Sequence, residues 1–599
     1  DDEADEYVRL YTDLGNLEHG LHGLNWAPDG KLYMSKGNSK GLTQPGRVAP
    51  KPFRDLWGVK APPGTPDFPK PQVYGKDDYR HAYHDPADDW GREGGILRCD
   101  ADGTDLEIVA RGFRNPWDIT PDSGFNWLGT DNDQTTGDRV FMPFYGAHFG
   151  WNHPWSSHWS AEPHPPTAPV SGPLFEGSGT GLVFYDAPEF PPEYHRVFFI
   201  NDWLRKTTFV WRPEWDGALL RPQKGRWEPF IEGGTALYRP TDLEVGPDGA
   251  LWILGWGSGY GAEWKEGKLT NEGRIFRITW KKASQNSDQR AHRKKPIRER
   301  SVWELIADFG GPLPISRINA QEELVRRGGV VKKDLLQALN SKNLTEAQET
   351  WVAWTLGRMA LMDSVIDDFF TRQLAEDSSA GLNLQIQSVR ILAHRIRESK
   401  SLRALPMSVV RLLQSPQSRL RFATIQALMQ VQDKSHASEL IALLASEKDP
   451  TVYYAGWQAL RRVSSPSDVQ ALLNDNRPSV QRAALLALAE TGALTKASAE
   501  PLAKKHEVAA LWLSKTQGTK PVMQIRGRPL DSSPLAVNEE SPATGVSLIQ
   551  NLRVKSGERY RSLPGGLIRG CRNFIDRNYR LKQVPEELAK AELIQTANN

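Results

Sequence analysis

A short turn motif recurs before residue 280, and it constrains the fold more than any other feature of the sequence. Residues 28–33 read PDGKLY, residues 247–252 read PDGALW, and residues 121–127 read PDSGFNW. In each case a turn of Pro, Asp and Gly is followed by residues that favour strands. Many short strands joined by one recurring turn predict radial repetition, and therefore a β-propeller. A β-sandwich is the alternative that this pattern leaves open.

The composition changes near residue 280, which indicates a domain boundary there. Sixteen of the 21 tryptophans lie before that point, and nine of the 13 histidines lie within residues 1–195. Residues 281–300 are polar and basic without periodicity, and we interpret them as a linker.

The pattern between residues 301 and 515 is helical. Apolar residues return at the i, i+3, i+4 and i+7 positions of an amphipathic helix. Units aligned on Ala393, Ala427, Ala459 and Ala487 recur every 34, 32 and 28 residues. That spacing predicts two helices per repeat and so a HEAT-like α-solenoid, a surface on which a protein partner can dock.

The whole chain is therefore expected to be multidomain. An all-β β-propeller occupies residues 1–280, the basic linker 281–300, and the α-solenoid 301–515. Residues 516–599 form a small C-terminal segment, which we interpret as a linker followed by the start of an incomplete domain.

The balance of charge argues against two classes of partner. The chain has 75 Lys and Arg against 73 Asp and Glu. It therefore lacks the bulk charge of a nucleic-acid-binding protein. No apolar run reaches the roughly 18 residues of a membrane span. The two cysteines, Cys99 and Cys571, are compatible with an oxidising compartment, and we expect a periplasmic or extracellular location.

An acidic loop follows one of the predicted strands. The stretch WLGTDNDQTTGDRV, residues 127–140, holds Asp131, Asp133 and Asp138. It is not an EF-hand, because Thr136 stands where that loop needs Gly and Met142 where it needs a bidentate Glu. Clustered oxygen ligands suit a hard cation such as Ca²⁺, and the same residues also form solvated Asx-turns. Composition alone leaves both interpretations open.

The segments on either side of this loop carry a family resemblance. GFRNPWD precedes the loop, GAHFGW follows it, and VFFINDWLRK comes further along the chain. This order resembles the glucose/sorbosone dehydrogenase family, β-propeller enzymes that use pyrroloquinoline quinone (PQQ) and calcium. It is most similar to a subset in which HEAT-type repeats follow the propeller. In that comparison the opening DDEADEY resembles the tail of an internal loop, so N-terminal strands are expected to be missing.

The resemblance implies a set of binding residues. Asp131, Asp133 and Asp138 would hold calcium beside the quinone. The cofactor itself would contact Arg114, Arg205, Arg239 and Asn115, since guanidinium groups bind carboxylates in bidentate fashion. The alternative for each arginine is a structural salt bridge between blades.

One departure from the family concerns the catalytic base. The sugar dehydrogenases carry a histidine where this chain has Phe113, and Phe cannot accept a proton from a hydroxyl group. The replacements that we consider first are His22, His19, His153 and His148. Further histidines lie nearby in the sequence, namely His81, His84 and His158. No CxxCH motif is present, so the chain carries no attachment site for covalent haem.

An aromatic cluster, GWNHPWSSHW, is a candidate substrate site. Trp151, Trp155 and Trp159 would present indole faces to sugar rings, with His84 as a polar neighbour. The alternative is packing between blades.

Three functions fit these features. The first is a quinoprotein-like dehydrogenase that oxidises a sugar or another alcohol at the mouth of a calcium-binding propeller. The second is a polysaccharide lyase or hydrolase on the same scaffold. The third is a non-catalytic module that binds glycans or proteins.

Overall fold

The computed structural model describes most of the chain up to residue 516. The described residues are 4–11, 19–38, 50–52, 54, 63–68, 70–75, 93–132, 138–151, 153, 155, 166–173, 178–232, 238–256, 273–280, 295–400 and 404–516. Four two-residue strands, 264–265, 268–269, 523–524 and 536–537, are described by their backbone.

The part before residue 280 is built from strands. They are β1 Glu6–Arg9, β2 Leu21–Trp26, β3 Leu32–Lys36, β4 Gln72–Gly75, β5 Gly94–Cys99, β6 Glu107–Phe113, β7 Pro116–Pro121, β8 Trp127–Asp131, β9 Arg139–Phe141, β10 Ala147–His148, β11 Gly172–Pro173, β12 Gly179–Tyr185, β13 Val197–Asp202, β14 Thr207–Asp216, β15 Leu219–Ile231, β16 Pro240–Val245, β17 Leu251–Gly255, β18 Trp264–Lys265, β19 Lys268–Leu269 and β20 Arg274–Ile278.

Four of the sheets follow one another along the chain. Their strand orders are β2-β3-β5-β6, β7-β8-β9-β11, β12-β13-β14-β15 and β16-β17-β20, and neighbouring strands run antiparallel. The two-residue β10 adds to the first sheet, parallel to β6. Strand β17 shows why the sequence forms strands here. Leu251 and Ile253 are buried while Trp252 and Leu254 are exposed, which is the period of two of a strand with one covered face.

The first strands of these four sheets pack side by side in the order β2, β7, β12, β16. Ser35 Oγ donates to the carbonyl of Trp117 at 3.1 Å. Thr130 Oγ1 donates to the carbonyl of Thr180 at 2.7 Å. Each donor is the residue before the last in the second strand of its sheet. The same kind of hydrogen bond therefore links successive sheets. The first strands therefore run in the same direction and begin at one edge.

The part after residue 300 is helical. Its helices are α1 Val302–Phe309, α2 Pro314–Arg327, α3 Lys332–Ser341, α4 Glu346–Arg358, α5 Ser364–Arg372, α6 Leu382–Glu398, α7 Met407–Val410, α8 Ser418–Val431, α9 Ala437–Ser446, α10 Pro450–Val463, α11 Pro466–Ala471, α12 Pro478–Glu490, α13 Lys496–Ala499 and α14 Glu507–Thr516. Capping boxes start several of them, as at Thr345 and Gln348 before α4.

The helices form two layers. Helices α2, α4, α6, α8, α10 and α12 pack against one another in that order, while α3, α5, α9 and α11 pack on their outer side. The inner layer lies against the sheets. Gln321 Nε2 donates to the carbonyl of Pro28 and Gln387 Nε2 to that of Gly124, each at 2.8 Å. Asp449 accepts from the backbone N–H of Ala218 at 2.8 Å.

These contacts place the helices at one edge of the sheets. Pro28, Gly124 and Ala218 lie in turns at the edge opposite to the starts of the first strands. One hydrophobic core spans both parts, and Phe125 meets Trp354 within it at a centroid distance of 5.6 Å. The chain's own sheets therefore cover the inner layer, so the predicted protein partner would need another face of the helices.

The expected order of a sheet-rich part followed by a helical part is confirmed. Among the described residues, β16 does not pack against β2 in the way that the first strands of successive sheets pack against one another. Within residues 281–300 the description begins at 295, and Ile297–Glu299 forms a 3₁₀ turn. The expected C-terminal domain lies outside the described residues apart from two two-residue strands. None of the helices described is long and apolar enough to cross a membrane.

Candidate active site

Most of the predicted site residues lie at the edge where β2, β7, β12 and β16 begin. We call this edge, remote from the turns that the helices cover, the candidate edge. It is formed by the starts of the first strands, the ends of the second strands, and the connections that precede the first strands and follow the second strands. The residues placed there are His19, His22, Arg114, Asn115, Asp131, Asp138, Arg205 and Arg239.

His22 is a candidate base that lies in a buried, aromatic environment. Its ring stacks on the indole of Trp117, with centroids 4.4 Å apart and planes 15° apart. Nε2 of His22 and Oδ1 of Asn115 are both buried, and although neither atom makes a hydrogen bond of ordinary geometry to a described residue, the side chain of Asn115 lies within reach of the imidazole. Burial lowers the pKa of His22 to about 4, and Asn115 opposes that shift by favouring the protonated form. The imidazole is therefore neutral at neutral pH and able to accept a proton.

His19 is held more tightly than His22. Its Nδ1 contacts Oδ1 of Asn38. A Cβ on Gly37 would stand 2.6 Å from the His19 Cβ and 2.7 Å from Oδ1 of Asn115. Only glycine at position 37 lets these two side chains approach so closely. Gly37 thus lies between His19 and Asn115, and the role of His19 as a base stays a prediction.

Arg114 begins a chain of polar contacts along the candidate edge. Its Nη1 donates to the backbone carbonyl and to Oδ1 of Asn132, both at 3.1 Å. Nδ2 of Asn132 contacts Oγ of Ser178. The backbone N–H groups of Ser178 and Arg205 donate to Oδ1 of Asp202 at 3.1 Å and 2.8 Å. These contacts join the second sheet to the third sheet at the candidate edge.

Arg239 reaches the same edge from the start of β16. Its guanidinium carbon lies 4.4 Å from the centroid of Trp203, in a cation–π contact. The connection between β13 and β14 supplies both Trp203 and Arg205. Arg114, Arg205 and Arg239 thus all lie at the candidate edge.

The two described aspartates of the acidic loop take part in structural contacts. Asp131 Oδ2 lies 3.0 Å from Nη2 of Arg139, and its Oδ1 accepts from the backbone N–H of Asn115 at 2.9 Å. Asp138 accepts from the backbone N–H of Gly179. Asp133 lies outside the described residues. Within the described part of the chain no three His, Cys, Asp or Glu side chains could hold a metal ion together, so the calcium site stays a prediction.

The phenylalanine at the family's histidine position belongs to an aromatic cluster. Phe113 is 0% exposed, and its ring lies 4.4 Å from that of Phe141 and 4.7 Å from that of Phe149. Position 113 is therefore part of the hydrophobic core.

His148 and His153 are brought together, but in a different place from His22. Their ring centroids are 4.6 Å apart. His153 Nε2 lies 3.0 Å from Oε2 of Glu490 on α12, and His148 Nε2 lies 3.0 Å from Oε2 of Glu93. Arg111 lies between these two carboxylates, 2.9 Å from Glu93 and 2.8 Å from Glu490. This buried cluster joins the sheets to the helices, which favours a structural role over the predicted catalytic one.

The pKa values of this cluster follow from its burial. Burial lowers the pKa of His148 to about 4, although Glu93 opposes the shift. The pKa of Glu490 lies well below its usual value, because the contacts with His153 and Arg111 outweigh its burial. At neutral pH the cluster thus holds a neutral His148 beside an ionised Glu490.

The tryptophan cluster is only partly described. Trp155 is 6% exposed and meets His153 edge to face at 5.2 Å, so its indole packs inside the protein. Trp151 is partly exposed, and its backbone N–H donates to the carbonyl of Gly112 at 3.0 Å. Trp159 and His84 lie outside the described residues, as do His81 and His158. Sugar contact by this cluster stays a prediction.

The sequence missed several residues of the candidate edge. Trp117 supports His22, Asn38 contacts His19, and Lys36 at the end of β3 is buried with its Nζ donating to the carbonyl of Gly37 at 2.8 Å. Asp202 keeps one carboxylate oxygen buried, and burial raises its pKa. Their position in the sequence could have identified them, because each lies within two residues of a strand end at this edge.

Comparison with known proteins found no matching family model and no matching curated protein. Among solved structures, an oxidoreductase of the glucose dehydrogenase type from Thermus thermophilus shares 16% identity over 43% of this chain, with a TM-score of 0.27. This chain spans 65% of that protein, which is less than two thirds of its length. The PQQ-bound aldose sugar dehydrogenase from Streptomyces coelicolor shares 14% identity over 46% of this chain and 98% of its own, with a TM-score of 0.23.

A solved structure of another kind also resembles part of this chain. The complex of CpcE and CpcF of phycocyanin lyase from a Nostoc species shares 16% identity over 44% of this chain and 92% of its own, with a TM-score of 0.20. All of these TM-scores are too low to indicate a function for this protein. Its function has to be inferred from the geometry of the candidate edge.

Proposed function

We propose that this protein is an oxidoreductase that oxidises a hydroxyl group of a sugar or related polyol at the candidate edge, with a bound quinone as its cofactor. The observation that carries the proposal is the state of His22. Its Nε2 is buried with no hydrogen bond of ordinary geometry to a described residue, only the Asn115 side chain lies within reach of it, and its ring is neutral and stacked on Trp117. A buried polar atom of this kind is costly unless a ligand satisfies it.

The chain's own residues divide the work at this edge. Nε2 of His22 accepts the hydroxyl proton of the substrate, as a general base does. Trp117 fixes the plane of the imidazole, and its Nε1 donates to the carbonyl of Thr241 at 3.1 Å, which holds the indole in place. Asn115, whose Oδ1 is buried close to Gly37, would accept a hydrogen bond from a second hydroxyl group of the substrate.

The side chains present fit an anionic quinone such as PQQ. Arg114, Arg205 and Arg239 lie together at the candidate edge, and guanidinium groups bind carboxylates strongly. The stacking of Arg239 on Trp203 would fix its donor plane. A bound quinone would supply the two-electron acceptor for the oxidation, while His22 takes up the proton.

The proposal also includes a calcium ion, for which Asp133 is a ligand. A divalent ion near the acidic loop would offset the negative charge of a tricarboxylate cofactor. Asp131 contributes little to such a site while it is paired with Arg139. Metal analysis of the purified protein and of its Asp133→Asn variant tests this point, and equal calcium contents would contradict it.

We also infer that the four sheets are blades of a β-propeller and that the helices are HEAT-like repeats. The parallel first strands and the repeated Ser35 and Thr130 contacts support the first inference. The alternating inner and outer helices support the second. A crystal structure with the sheets packed face to face in a sandwich would contradict the propeller. Cell fractionation tests the periplasmic or extracellular location that we propose with this activity.

Reconstitution is the direct test of the proposed function. The purified chain would be loaded with PQQ and calcium and assayed by dye reduction on a panel of aldoses and polyols. Saturable quinone binding with reduction of the dye by at least one substrate supports the proposal. Absence of both overturns it, and release of unsaturated oligosaccharides from acidic glycans would favour the lyase instead.

A further inference from the structure

A cavity lies between the sheets and the inner helices, remote from the candidate edge. It has a volume of about 120 Å³. Helix α8 contributes one stripe, in which Arg419, Phe422 and Gln426 follow one another at spacings of three and four residues. Helix α6 contributes a second stripe that includes Arg390. The sheets supply aromatic walls, namely Phe125, Trp127, Phe144 and Trp215.

Two arginines in this cavity lack carboxylate partners among the described residues. Arg390 donates to the carbonyls of Gly124 and Phe125 and to Oδ1 of Asn126, at 3.2, 3.0 and 3.0 Å, and all three acceptors are uncharged. Arg419 has no hydrogen bond to a described residue, and its guanidinium carbon lies 3.8 Å from the centroid of Trp215.

The two positive charges oppose each other. Burial, together with the charge of Arg419, lowers the pKa of Arg390 to about 10. The carboxylate of Asp122 favours both charged forms, but it forms no ion pair with either arginine. Arg98, which also lines the cavity, is by contrast paired with Asp29 at 3.5 Å. The cavity thus holds positive charge that the described residues leave only partly compensated.

A third group in the cavity also lacks a partner. Gln426 is 8% exposed, and its Nε2 is buried without a hydrogen-bond acceptor among the described residues. A buried donor of this kind indicates that something else is bound there. The donor lies on the same helical stripe as Arg419, two turns further along α8.

We propose that this cavity binds a small organic anion, a carboxylate carried on a planar apolar body. Arg419 and Gln426 hold the carboxylate, and the body lies among the aromatic walls. An apolar cavity of about 150 Å³ accepts benzene, and this cavity of about 120 Å³ is somewhat smaller, so it has room for no more than a single ring beside the polar groups. An inorganic anion would satisfy the arginines but would leave the aromatic walls without contacts. The ligand would touch both parts of the chain and so stabilise their association.

Benzoate is a suitable probe of this site. Isothermal titration of the full chain would compare benzoate with neutral benzamide and with acetate. We expect benzoate to bind at least tenfold more tightly than either. The proposal is overturned if benzamide binds as tightly as benzoate, or if no saturable binding of benzoate is seen up to millimolar concentration.

Two variants and a control locate the binding. Arg419→Gln and Gln426→Glu should each weaken benzoate binding at least tenfold. Arg411→Gln, which removes an exposed arginine paired with Glu376, should leave binding unchanged. The melting temperature of Arg419→Gln should stay the same or rise, because the variant relieves repulsion with Arg390. Unchanged benzoate affinity in both cavity variants contradicts the assignment, whatever the outcome of the quinone experiments.

Discussion

Asp131 and Arg139 form a buried ion pair that holds the start of the acidic loop. The atoms Oδ2 and Nη2 are 3.0 Å apart, and both side chains are almost completely buried. Arg139 also donates to the carbonyls of Phe149 and Gly112 at 2.6 and 3.1 Å. The pair thus fastens three segments of the sheets to one another.

Asp131→Ala should therefore lower the free energy of unfolding by about 3–5 kcal/mol, because it removes the carboxylate that lies 3.0 Å from a buried guanidinium. Denaturant unfolding measures this loss. The control is Asp216→Ala, which breaks the exposed pair with Arg221 and should cost less than about 1 kcal/mol. The loss at Asp131 should be the same in calcium and in chelator. A loss confined to calcium-loaded protein would mean that Asp131 is a metal ligand.

Gly112 is required at the end of β6. Its φ is +80°, and an added Cβ would lie 2.3 Å from Nδ1 of His148 and 2.7 Å from the backbone nitrogen of Phe149. Gly112→Ala should lower the free energy of unfolding by about 3 kcal/mol, from backbone strain and steric overlap together. Gly64→Ala has a similar φ of +84° with no atom within 4 Å, so it should cost only about 1 kcal/mol. Equal losses in the two variants would show that the contact with His148 contributes nothing.

The burial of His148 predicts a loss of stability in mild acid. Its pKa is about 4 in the folded protein against an ordinary value of 6.5, so the unfolded chain binds this proton more readily. Stability from this group is fully present above pH 6.5 and is lost as the pH falls toward 4. Between pH 7 and pH 5 the loss is about 2 kcal/mol. Between these two pH values the free energy of unfolding of the wild type should fall by about 2 kcal/mol more than that of His148→Gln. An equal pH dependence in the two proteins would contradict this prediction.

The sequence predicted the elements of the fold better than the contacts between them. Helix α4 begins where Thr345 and Gln348 make a capping box, and β17 alternates as its pattern requires. Local propensity and hydrophobic period determine such features. No local sequence pattern predicts that the sheets cover the inner helices. This packing depends on contacts between residues far apart in the chain, such as Gln387 and Gly124, which are 263 residues apart.

The candidate site was predicted unevenly for the same reason. The position of Arg114 and Asn115 at a strand end follows from the segment GFRNPWD, and the structure places them beside His19 and His22. The role of His153 did not follow, because its partner Glu490 lies 337 residues away. A histidine's sequence neighbours do not reveal whether a distant carboxylate will bury it.

The proposed role of His22 depends on its neutral ring and its buried Nε2. His22→Gln keeps a polar side chain but removes the base, so kcat should fall by about 10²–10⁴-fold while PQQ binding is retained. The control is His195→Gln, which alters a histidine at the opposite edge whose Nε2 lies 2.7 Å from the carbonyl of Phe190. That variant should keep the wild-type kcat.

The most direct test is therefore the turnover of reconstituted wild type and His22→Gln on the best sugar or polyol substrate. A loss of at least about a hundredfold in kcat with unchanged quinone affinity is the result that we predict. Turnover of His22→Gln equal to that of the wild type would contradict the account.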